Sequence, residues 1–171
     1  MGILDFFRKK SEQYVGIRYS ATGVFGYSFC SKNGEAFHVM CPVVPNPDIY
    51  LSGFRQKLIH SRFNGQLTLF PGVRRDVTDE SGRICGSYIF LSPYEFCITA
   101  EACATVRLVD GGWEVWEEAK KTADIRRIPQ ERRTRFTENG CDMEPWFEVT
   151  VTRDASPALL PYIFAIPMLG F

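Results

Sequence analysis

A chain of 171 residues with 45% hydrophobic and 23% charged residues can bury one core without staples, and its composition excludes collagen-like and disordered classes. Twenty basic residues balance twenty acidic ones, so no overall field steers the chain toward nucleic acid, and no nucleic-acid partner is expected. An aromatic fraction of 14%, with fourteen Phe, favours strands around an aromatic core.

Residues 2–13 read as a short amphipathic helix. Ile3, Leu4, Phe6 and Phe7 come first, and Arg8, Lys9 and Lys10 follow. That order is the reverse of a secretory signal, and Phe6 stands where a myristoylation pattern needs Ser or Thr. Phe6 and Phe7 could dip into a membrane interface while Arg8, Lys9 and Lys10 meet anionic lipid; the alternative is packing on the rest of the protein. The segment 1–13 is therefore set apart from one domain over 14–171.

From Tyr14 onward the texture is β. Runs at 14–19, 24–29 and 36–43 are separated by turn signals at 21–23 and at Lys32-Asn33-Gly34. Residues 42–53 carry three prolines and read as a loop. Residues 54–63 fit a helix face or a strand. Strand-like runs resume at 66–70, 73–77, 84–90, 94–99 and 102–109. After the turn Asp110-Gly111-Gly112 come 113–116, 122–128 and 146–151. Runs recurring about every ten residues indicate a sandwich or barrel.

The pattern breaks at Asp154-Ala155-Ser156, a helix N-cap cluster followed by Pro157. Nearly every residue of 157–171 is apolar, so the segment must be surrounded, by core or by lipid. A bilayer span needs about 20 apolar residues, and this run is shorter and carries Pro161 and Pro167, which favours burial in protein as a short or kinked helix. The six cysteines form no CxxC pair and show no zinc spacing, so they are expected as buried free thiols.

Three stretches resemble the tubby C-terminal-like superfamily, which includes tubby proteins, phospholipid scramblases and plant LURP-one proteins. They are 77–83 (VTDESGR), 113–128 with its TADIRRI strand, and 146–171, a WFEVTV strand followed by the apolar tail. The resemblance implies a mainly β fold: a closed antiparallel β-barrel around a central apolar C-terminal helix, with a short N-terminal helix. Pro161, Pro167 and the long stretch 130–144 depart from the family pattern.

The catalytic search is thin: no GxSxG, P-loop, HExxH or GxGxxG motif is present. His38 and Cys41 are three apart, which on a strand places them on opposite faces. Carboxylates at Glu114, Glu117 and Glu118, and at Glu138, Asp142 and Glu144, lack calcium-loop spacing and read as solvated turns. The candidate phosphate or lipid-headgroup site is the basic run Lys120, Lys121, Arg126, Arg127, Arg132, Arg133 and Arg135, because guanidinium forks bind phosphate oxygens bidentately. The competing reading is a run neutralised by nearby acids on a wet surface.

Together these features point to a non-enzymatic binding module in the cytoplasm, peripheral at a membrane. Its expected partners are anionic membrane lipid or a protein, and it needs no cofactor and no metal. The alternative is an enzyme or small-molecule carrier using a barrel-end pocket.

Overall fold

The computed structural model describes residues 11–22, 24–34, 36–42, 49–53, 56–63, 74–79 and 81–169. The candidate membrane residues Phe6, Phe7, Arg8, Lys9 and Lys10 and the expected strand at 66–70 lie outside them.

Among the described residues, thirteen strands form one antiparallel sheet. In chain order they are β1 Ser11–Ala21, β2 Val24–Ser31, β3 Ala36–Pro42, β4 Ile49–Gly53, β5 Gln56–Phe63, β6 Arg74–Thr78 and β7 Ile84–Ser92. Then come β8 Glu95–Thr99, β9 Cys103–Val109, β10 Gly112–Glu117, β11 Lys120–Arg127, β12 Phe136–Glu138 and β13 Cys141–Thr152. Alternation decides the inner face. Phe96 and Ile98 of β8, Ala104 and Val106 of β9, Val115 of β10 and Ile125 of β11 are buried, whereas Thr99 and Arg107 between or beside them are exposed. Register carries the inner row from strand to strand: Phe96 faces Val106, Val106 faces Val115, Val115 faces Ala123, and Ala123 faces Val151.

Hairpins link β1 through β11 in sequence, and the order then runs β11-β13-β12. β13 is paired along both edges. β1 lies on one, from Ser11↔Thr152 to Ser20↔Asp142, and β11 followed by β12 lies on the other. At Asp110-Gly111 and Ser81-Gly82 the glycines take φ of +76° and +81°, which explains why these positions read as turns. Asp79 tightens the second turn, accepting the backbone N–H groups of Ser81 and Arg83 at 2.9 and 3.1 Å.

Several expectations are corrected. The closed barrel around a central helix is replaced by one antiparallel sheet that runs to an open margin at β12, three exposed residues with a neighbour only in β13. The C-terminal run is not one helix long enough to fill a barrel. It is a 3-10 turn Pro157–Leu159, a six-residue helix α1 Leu160–Ala165, and a second 3-10 turn Ile166–Met168. Pro161 and Pro167 each stand in a first turn, where a missing N–H costs nothing, and they set where each short piece begins. Of the expected N-terminal helix at 2–13, residues 11–13 belong to β1. The expected loop at 42–53 includes β4, and residues 56–63 of the ambiguous stretch 54–63 are β5. Five of the cysteines are free but not buried thiols: Cys30, Cys85 and Cys103 are exposed, and Cys97 and Cys141 are half-buried, while the Cys41 side chain lies outside the described ones.

The C-terminal segment is nonetheless deep in the core. Leu159, Ile163, Phe164 and Ile166 are each fully buried. The sheet curves enough for distant strands to reach them. The Phe164 ring meets Tyr14 of β1, Phe29 of β2 and Phe37 of β3 at centroid distances of 4.9, 5.0 and 4.8 Å. From β7, the buried Tyr88 hydroxyl donates to the Tyr162 carbonyl at 3.0 Å. Gly86 makes room for this segment, because a β-carbon there would collide with the Tyr162 hydroxyl. One cation also lies inside: Arg75 is buried and faces Tyr88 across the β6–β7 ladder.

The segment begins where β13 ends. Ser156 does not cap the 3-10 turn with its own side chain. Its backbone N–H donates to Glu117 Oε1 at 3.0 Å and its hydroxyl to Oε2 at 2.5 Å, so a β10 carboxylate ties the start of the buried segment to the sheet. Beside it Lys120 pairs with Asp154. No helix among the described residues is long and apolar enough to cross a membrane.

Candidate anion-binding site

The basic run does not form one surface. Lys120 is at the margin where the C-terminal segment starts, paired with Asp154. Lys121 and Arg126 lie on the outer face of β11 in a ladder of opposite charges. Lys121 Nζ is 3.3 Å from both Glu114 and Asp124, and Arg126 reaches Glu114 at 3.3 Å and Asp124 at 2.7 Å. Partial desolvation pulls against each charge, but the partners win: the Lys121 ammonium is held above its ordinary range and the Glu114 carboxyl below its own. Arg132 pairs with Glu148 at 3.4 Å, and Arg135 lies 3.8 Å from Glu144.

Arg127 and Arg133 are different. They belong to the opposite margin, where β1 and β11 end and β13 begins. Arg133 leaves the 3-10 turn Gln130–Arg132, donates from Nε to the Ile128 carbonyl at 2.7 Å, and places its guanidinium carbon 4.0 Å from the Trp146 ring centroid. Arg18 of β1 brings a second guanidinium to the same indole at 4.6 Å. Arg127 faces Phe147 across the β11–β13 ladder and lies 5.4 Å from the buried Trp113 ring. Among the described residues, neither Arg18 nor Arg133 forms an ion pair with a carboxylate.

A register shift builds this arrangement. In the β1–β13 ladder Gly16 faces Phe147 and Ile17 faces Pro145, which leaves Trp146 without a partner. A bulge of this kind re-aims a side chain and increases local twist, and Pro145 has no N–H to give the ladder at that point. Beyond the bulge Arg18 faces Glu144 on one side and the buried Tyr27 on the other. Burial pushes the Tyr27 phenol up, while the positive charges of Arg18, Arg127 and Arg133 pull it back down. Three cations from β1, β11 and the chain after the 3-10 turn thus bear on one hydroxyl.

Beside the stack a groove of about 240 Å³ runs between Arg18 and Ser20 of β1 and Asp142, Met143, Glu144 and Trp146 of β13, with Arg135 also lining it. The indole Nε1–H donates to Glu144 Oε2 at 2.6 Å. Arg18, Tyr27 and Trp146 were not singled out in the sequence. Arg18 stands far from the basic run in the chain, and only the strand pairing brings it to Arg133.

Elsewhere the chemistry is sparse. Ser28 and His38, paired across β2 and β3, share a hydrogen bond of 2.9 Å at Nδ1, and among the described residues no carboxylate meets His38. No group of three His, Cys, Asp or Glu side chains among the described residues could hold a metal ion.

Comparison of the chain with family models, curated proteins and solved structures finds no match. The tubby-like, LURP-one-like and scramblase-like reading, and the lipid binding that came with it, therefore have no family support and are set aside together with the barrel.

Proposed function

We propose that the chain is a non-enzymatic binding module that takes an anionic group at the Arg18–Trp146–Arg133 stack. The observation that carries this reading is the contrast in partners. Lys120, Lys121, Arg126, Arg132 and Arg135 each meet a carboxylate of the chain, whereas Arg18 and Arg133 rest on an indole. Stacking on an aromatic face fixes a guanidinium plane while leaving its N–H edge available to a guest oxygen. Arg127 and the Tyr27 hydroxyl extend the field on the same margin.

Inorganic phosphate is a suitable first probe. A ligand that binds only the folded state raises the unfolding midpoint by mass action. Phosphate at constant ionic strength is expected to raise the midpoint of the full chain, and Arg18→Ala and Arg133→Ala each to abolish most of that rise. A rise that survives in the double variant places the anion elsewhere and refutes the reading.

A further inference from the structure

We infer that the free edge of β12 docks a second copy of this chain, the two β12 strands pairing antiparallel about a two-fold axis at Phe136. This goes beyond the anion-binding reading and does not depend on it.

Among the described residues, β12 pairs with β13 and with no other strand, and all three of its residues are exposed. The turn after it decides which backbone groups are left over. Asn139 and Gly140 take φ of +50° and +75°, both positive as a type I′ hairpin turn requires. A two-residue turn of this kind closes on a hydrogen-bonded pair, here Glu138↔Cys141. Hydrogen-bonded and non-hydrogen-bonded pairs alternate along an antiparallel ladder. Thr137↔Asp142 is therefore a non-hydrogen-bonded pair, and the Thr137 N–H and C=O point away from β13. Outward groups on an edge are a template for a further strand.

An added antiparallel strand must join residues whose groups point outward. On this edge these are Thr137 and the positions two away, Arg135 and Asn139. Asn139 stands in the left-handed turn and cannot lengthen a ladder. Further back, Arg133 already gives its N–H to the Gln130 carbonyl. The self-pairing that avoids both residues sets Thr137 of each copy opposite Arg135 of the other. Phe136 then faces Phe136 as the close, non-hydrogen-bonded pair. The two-fold axis through that pair makes the contact isologous and closed, so it joins two chains and no more.

The side chains fit this register. Phe136 is 42% exposed, and a cross-strand aromatic pair would cover it. It stands in one row with Met143 and Tyr19, which the second copy's row would continue. On the other face, the second copy's Arg135 arrives beside Thr137, whose hydroxyl donates to Asp142 Oδ1 at 3.3 Å. Asp142 has no ion-pair partner among the described residues, and Arg135 is 76% exposed. Each copy thus brings a cation to a carboxylate the other leaves unmatched. This charge complementarity, repeated by the symmetry, is what selects a second copy over a strand of unrelated sequence.

The test is sedimentation velocity of the full chain from about 1 μM to about 1 mM, a span suited to small, weak interfaces. The mean mass is expected to rise from one chain toward two and to stop there. Thr137→Pro removes an N–H that β13 does not use, and an edge strand tolerates proline at such a position. It is expected to hold the chain monomeric. Phe136→Asp places two carboxylates face to face on the axis and should do the same; if the proline variant does not fold, this one decides. Arg135→Asp is expected to weaken the dimer about threefold or more, and adding Asp142→Arg to it to recover the loss. A wild-type chain that stays monomeric throughout overturns the inference, as does growth beyond two copies. So does a dimer that persists in folded Thr137→Pro or Phe136→Asp, or a double charge variant no tighter than Arg135→Asp alone.

Discussion

The two margins of the sheet solve opposite problems. Where β1 begins and β13 ends, the chain turns back on itself and fills the space with Leu159, Tyr162, Ile163 and Phe164, and its polar groups are spent internally, Ser156 on Glu117 and Lys120 on Asp154. Where β1 ends and β13 begins, the inner face is finished by Tyr27, Trp113 and Phe147 and is overlaid by Arg18, Arg127 and Arg133. At the first margin charge closes the fold. At the second it stands on aromatic rings, which give an exposed cation modest support and leave its hydrogen-bond donors for a guest. The difference separates groups kept for stability from groups kept for recognition.

The largest effect should come from the filled margin. Phe164→Ala removes a fully buried ring that touches three strands, and it is expected to cost about 3–5 kcal/mol in denaturant unfolding. A cost of under about 1 kcal/mol would mean the segment packs loosely, well below the range for truncating a buried aromatic ring. Next comes the tie at its start. Glu117→Ala strands two donors of the partly buried Ser156, and a loss of about 1–3 kcal/mol is expected. Ser156→Ala removes only the hydroxyl and should cost less. Equal losses would show that the backbone N–H contributes nothing.

The same contrast explains what the sequence disclosed. The strands of the second half were readable because Phe96, Ile98, Val106, Val115 and Ile125 alternate with polar neighbours, and turns such as Asp110-Gly111 carry their own φ demand. The burial of the apolar tail was also readable, since nothing in it could face water. Closure was not: alternation gives each strand an inside but does not say where a sheet stops. β4 was hidden because its short run follows three prolines. Among the arginines, type and number were visible but partnership was not. Arg126 and Arg127 are adjacent, yet a strand sends them to opposite faces, one to Glu114 and Asp124 and the other toward Trp113. The Trp146 bulge left no mark in the sequence beyond Pro145.

Arg18→Ala tests the recognition margin from the stability side. Its ring contact is partly exposed and it has no carboxylate partner among the described residues, so the loss should be under about 1 kcal/mol even though phosphate binding disappears. A loss comparable to that of Glu117→Ala would assign Arg18 to the fold and dissolve the distinction between the margins.

The smallest effect belongs to the outer ladder, and it sharpens the comparison by its sign with pH. Glu114 is held below its ordinary value of 4.5, so its contribution is full above that value and is lost as pH falls through the lower folded one. Lys121 is held above 10.5, so its contribution is full below that value and is lost as pH rises through the higher folded one. Removing the pair should therefore flatten both limbs of the stability profile, acid and alkaline, and barely change its centre. At neutral pH Lys121→Ala is expected to cost about 0.5 kcal/mol or less, as exposed pairs do, and to leave the phosphate-induced rise in midpoint intact. A lost rise in that variant would mean that the anion is read by the paired cations of β11, which already have carboxylates, and not by the arginines on Trp146, which have none among the described residues.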